Sequence, residues 1–118
     1  MSKLPPPQVP PKLRELLSDY PGYVDRLQEV LDEFAVPKLR LQPFDDALWA
    51  LESRLDAFVQ DARDELRDAE ASGDASAIEK AAVKRRAMSL ARSKNGGMRV
   101  ELMDDLWNYF ERNKEAFE

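Results

Sequence analysis

The sequence predicts an all-α chain, a five-helix bundle built on a long antiparallel helical hairpin with two short N-terminal helices before it and an amphipathic helix after it. Three observations carry that expectation. Apolar residues recur at steps of three and four along most of the chain, no alternating run of strand length occurs, and the breakers, four glycines and eight prolines, cluster at segment boundaries.

Five of the prolines lie between Pro5 and Pro11. Their fixed φ and missing N–H groups exclude helix before Pro11, so residues 1–10 are read as an extended arm and 11–118 as a single helical domain. Pro11 suits a first helical position, and Leu13, Leu16, Leu17 and Tyr20 follow at helical spacing until Pro21 and Gly22 interrupt them. Pro21 in turn opens a second helix with the stripe Val24, Leu27, Val30, Leu31 and Phe34, closed by Pro37.

After a connector from Val36 to Gln42, Pro43 begins the longest periodic segment: Phe44, Leu48, Leu51, Leu55, Phe58, Ala62, Leu66 and Ala69. Ser72 and Gly73 end it. Asp74 is placed to cap a fourth helix running to Lys94, and Ser76 with Glu79 has the spacing of a capping box. The hairpin helices are therefore expected at about 43–72 and 75–94. Asn95, Gly96 and Gly97 are expected to supply left-handed conformations at a C-cap, followed by a fifth helix from about Met98 to Ala116.

The net charge of −5 conceals a strong asymmetry. Residues 43–75 carry ten acidic and three basic groups, whereas residues 76–100 carry seven basic and one acidic. A two-residue connection forces these helices side by side, so the acidic one is expected to face the basic one.

Composition also removes functional classes. With no Cys there are no disulfides, thiolate metal sites or nucleophilic thiols, and with no His the commonest metal ligand and neutral-pH general base are missing. No catalytic residue is nominated, no cofactor is expected, and the chain is read as a non-enzyme. No apolar run approaches the length of a membrane span and Met1–Pro11 has no apolar h-region, so a cytoplasmic protein without a membrane partner is expected.

Four constellations remain. The basic run containing Lys84, Arg85, Arg86, Arg92 and Arg99 could neutralise phosphates and bind nucleic acid. The facing acidic helix disfavours that reading, since it can neutralise the same charges. A Pro7-Gln8-Val9-Pro10 segment fits a polyproline ligand, but an arm packed across the bundle or left mobile is the favoured reading of the same residues.

Asp64, Glu65 and Asp68, with Glu101 and Asp104 at like spacing downstream, form the third. This pattern resembles the acidic motif of all-α nucleotide pyrophosphohydrolases, and the resemblance implies carboxylates on two helices holding Mg²⁺. It covers these five residues only. Asp stands where that family has Glu, a basic helix separates the two halves, and the helical wheel turns Asp64 and Asp68 away from the apolar stripe.

The fourth is apolar surplus. Trp49, Met103, Trp107, Tyr109 and Phe110 widen the apolar arcs beyond what one hairpin partner covers, and aromatic residues and Met are enriched in interface cores. These five are the candidate contact residues of a small protein-binding protein, such as an adaptor, an immunity factor or antitoxin, or a chaperone, whose partner is another protein or a second copy of itself.

Overall fold

Proline opens three of the five helices, where its missing N–H costs no hydrogen bond. In the computed structural model, which describes residues 4–118, the helices are α1 (Pro11–Leu16), α2 (Pro21–Asp32), α3 (Pro43–Ser72), α4 (Ala75–Arg92) and α5 (Asp104–Arg112). Short 3₁₀ turns follow α2 at Glu33–Ala35, precede α5 at Val100–Leu102 and follow it at Lys114–Phe117. The fold is an all-α bundle in which α3 and α4 pack as a hairpin.

The hairpin turn is made by local chemistry. Gly73 takes the left-handed conformation at φ 73° and donates its N–H to the Glu70 carbonyl. Asp74 then caps α4, its carboxylate accepting from the N–H groups of Ser76 at 3.0 Å and Ala77 at 3.4 Å. Asp74 is thus the cap, and Ser76 lies inside the first turn.

From this turn the stripe Ala47, Leu51, Leu55, Phe58 and Ala62 buries the inner face of α3 against Met88 and Ala91 of α4 and the leucines of α1 and α2. Each fully buried Leu or Phe contributes about 1.5–3 kcal/mol. At the opposite end Phe34, Tyr109, Phe110 and Phe117 form an edge-to-face cluster around Phe110, with centroid separations of 5.2–5.6 Å. No charged side chain is buried among the described residues.

Three expectations require correction from the end of α4 onward. Helix α4 stops at Arg92, two residues early, because Ser93 turns extended. Gly96 and Gly97 do not adopt positive φ, and Gly73 alone among the described residues does. Glycine is needed there for closeness: a Cβ on Gly96 would strike the Leu90 carbonyl oxygen, and one on Gly97 would strike the Ala91 carbonyl oxygen and the Leu13 side chain. The chain folds back onto the last turn of α4, fixed by Gly97 N–H to the Leu90 carbonyl and Met98 N–H to the Ser93 carbonyl, both 3.0 Å.

That fold-back also shortens the fifth helix, which spans Asp104–Arg112 in place of the expected 98–116. Met98 and Met103 are both buried, so the intervening residues form a 3₁₀ turn. At the other end Asn113 donates its side-chain amide to the Tyr109 carbonyl at 2.8 Å, and the following turn swings Phe117 into the core.

The proline-rich arm packs across the bundle. Gln28 brackets it, donating to the Pro7 carbonyl at 2.8 Å and accepting from the Val9 N–H at 3.2 Å. Leu4 N–H reaches the Ala35 carbonyl at 2.7 Å. Pro7, Val9 and Pro10 are buried, so the polyproline segment is occupied by its own domain. Residues 1–3 of the expected arm lie outside the described residues.

The described residues span 55 × 27 × 20 Å. Burial along the hairpin ends at Ala62 and Ala81, and no residue from 63 to 80 is buried. Toward its tip the hairpin is thinly covered, and Tyr20, at the N-cap of α2, shares a shallow concave surface with Glu65, Ala69 and Ser76.

Candidate protein-binding groove

The connector between α2 and α3 builds one wall of a concave surface. Exposure alternates along the connector: Leu39 and Leu41 are 72% and 92% exposed, and Arg40 between them turns inward. The Arg40 N–H donates to the Phe117 carbonyl at 2.8 Å, which ties the connector to the C-terminal turn. The Arg40 guanidinium lies over the Phe34 ring, 4.3 Å from its centroid, and reaches Asp46 at 3.5 Å. Its Nε is enclosed and, among the described residues, has no hydrogen-bond partner.

Phe44, on the first turn of α3, meets Trp107 of α5 edge to face at 5.1 Å. Between them and the connector lies a groove of about 370 Å³, walled by Leu41, Phe44 and Trp107 and backed by Phe110 and Phe117. Asp45, Glu111, Lys114 and Glu118 stand on its rim.

The five apolar contact candidates divide on burial. Trp107 is 48% exposed and lines the groove. Trp49 is 72% exposed on α3 and does not line it. Met103, Tyr109 and Phe110 are buried in the monomer core, at 1%, 6% and 3% exposure, where a partner reaches them only by opening the fold. Tyr109 also donates its hydroxyl to the Pro5 carbonyl at 2.6 Å, and burial raises its pKa above the ordinary 10, against the charge of Arg112.

The basic residues divide as well. Lys84 lies at the junction of three helices, 2.9 Å from both carboxylate oxygens of Glu65 on α3 and 4.7 Å from the ring centre of Tyr23 on α2. Burial acts to lower its pKa, but Tyr23 and Glu65 together outweigh that and leave it above 10.5. Arg92 binds Asp56 at 2.5 Å and lies 3.9 Å from Glu52, so Lys84 and Arg92 pair across the hairpin as the charge asymmetry predicts. Arg99 pairs locally with Glu101 at 3.6 Å. Arg85 and Arg86 have no ion pair among the described residues.

The acidic residues are not brought together. Asp64 bonds Gln60 and Arg67, Glu65 bonds Lys84, and Glu101 and Asp104 lie beside Pro11 and Lys12. No group of three or more potential metal ligands occurs among the described residues. No described helix is long and apolar enough to cross a membrane.

Residue-by-residue reading of the sequence missed Arg40 and Leu41, which were part of an unassigned connector, and treated Phe44 as core. The available signal was the Leu39-Arg40-Leu41 alternation, two large apolar residues flanking a cation in a segment free of helical periodicity. No protein-family model, curated protein or solved structure matches the chain.

Proposed function

We propose that this chain is a non-enzymatic protein-binding module, of adaptor, immunity-factor, antitoxin or chaperone type, that acts in the cytoplasm and contacts its partner through the groove around Trp107. The observation carrying the reading is the exposure of Trp107 and Leu41 side by side with Phe44 in one concave surface. A large aromatic residue left half-exposed beside an exposed leucine is what the centre of a binding surface offers, since truncating such anchors removes most of the affinity.

The test is affinity capture with quantitative comparison of variants. Trp107→Ala and Leu41→Glu lose the bound protein, whether another chain or a second copy, and Trp49→Ala keeps it, all three showing native helical content. Identical capture by all four proteins rejects the groove.

A further inference from the structure

Resting on that reading, we propose that the groove receives the carboxyl-terminal residue of a partner polypeptide, an apolar side chain against Phe44 and Trp107 and its α-carboxylate on Arg40. A guanidinium carries five N–H donors, and buried donors in proteins are nearly always satisfied. Among the described residues Arg40 has a single side-chain acceptor, Asp46 at 3.5 Å, its enclosed Nε has none, and its side chain is only 15% exposed. The under-satisfied cation is also pre-organised, with one face on Phe34 and its backbone fixed to Phe117. Such a fork matches a carboxylate through two parallel hydrogen bonds.

The size of the groove selects the form of that carboxylate. At about 370 Å³ it is at the small end of ligand pockets, and Arg40 and Trp107 line it together. Its ligand must therefore hold an anion and an apolar group within a few bonds of each other. A terminal residue does so, because α-carboxylate and side chain share one Cα. The rim, with Asp45, Glu111 and Glu118 against Lys114, carries excess negative charge and opposes acidic runs, so a single carboxylate has Arg40 as its inner cation.

The chain has two tryptophans, so Trp49→Phe leaves Trp107 as the sole indole reporter. Acetyl-Ala-Leu-Phe with a free carboxyl terminus, its C-terminal amide, acetyl-Asp-Leu-Phe amide and octanoate are titrated while Trp107 emission is followed. The free acid is expected to bind at least tenfold more tightly than either amide or octanoate. Arg40→Met is expected to erase the acid-to-amide difference at unchanged helical content, and if that variant does not fold, the acid and amide on the Trp49→Phe protein decide alone.

Equal binding of acid and amide overturns the carboxylate inference and leaves the groove reading standing. Tight binding of the internal aspartate peptide, or of octanoate, overturns the terminal residue as occupant. No response to any probe overturns the inference too, and the reading of the groove falls with it only if capture is also insensitive to Trp107→Ala.

Discussion

Tyr109, on α5, donates its hydroxyl to the carbonyl of Pro5 at 2.6 Å, joining residues 104 positions apart. One phenol thereby holds the proline-rich arm against the helix that closes the bundle. Tyr109→Phe is expected to keep the packing and lose that bond, lowering stability by about 0.5–1.5 kcal/mol in urea or thermal unfolding. Amide exchange should quicken at the arm, at the Leu4 and Val9 N–H groups.

The pH dependence follows from the same residue and from Lys84. Both hold their protons more tightly in the folded chain than their ordinary values near 10 and 10.5. Between the unfolded and folded pKa values the native state binds more protons, so stability falls as pH rises. The contribution of both groups is full below about pH 10, and Tyr109→Phe should flatten part of the alkaline decline in urea midpoint above it.

Glycine substitutions separate close approach from backbone freedom. Gly97→Ala puts a Cβ into the Ala91 carbonyl oxygen and the Leu13 side chain, and the carbonyl cannot move without unwinding the end of α4. A loss near 3 kcal/mol is expected, at the upper end of overpacking costs. Gly22 in the first turn of α2 has nothing within 4 Å of its Cβ direction, so Gly22→Ala should stabilise by about 0.4–1 kcal/mol. Melting temperatures moving in opposite directions check the pair.

Phe110 and Trp107 lie three residues apart with different roles. Phe110→Ala empties the centre of the aromatic cluster and should cost about 3–5 kcal/mol, whereas half-exposed Trp107→Ala should cost under about 2 kcal/mol. Chemical denaturation of both variants tests the division between core and groove.

The hairpin tip provides the fifth expectation. With no buried residue between 63 and 80, its amides are protected mainly by helix bonds and the neighbouring hairpin helix. Hydrogen exchange over residues 66–80 should be an order of magnitude or more faster than at Leu51–Ala62 or Met88–Ala91. Equal protection would mean that the tip is covered by something, such as a second copy.

The elements that the sequence made legible are those set by local chemistry. The starts of α1, α2 and α3 follow from prolines that suit a first turn, and the hairpin turn follows from a left-handed Gly73 and a capping Asp74. The charge asymmetry of α3 and α4 led directly to Lys84–Glu65 and Arg92–Asp56. The fifth helix was overextended because Met98, Leu102 and Leu106 keep helical spacing although Val100–Leu102 form a 3₁₀ turn between buried Met98 and Met103.

Tertiary packing alone decided which apolar residues stay exposed. Met103 and Trp107 lie about 40° apart on the helical wheel, so periodicity assigns both to one face. One is nevertheless buried and the other half-exposed, because the amount of cover depends on where Phe44 and the 36–42 connector fall. The same holds for Arg40, whose inward turn over Phe34 depends on a hydrogen bond to Phe117 at the far end of the chain. The sequence by itself determined an all-α hairpin bundle, since helix starts, stops and faces are encoded within a few residues. The groove depends on contacts between segments distant in the chain, and only the folded arrangement of those segments could decide it.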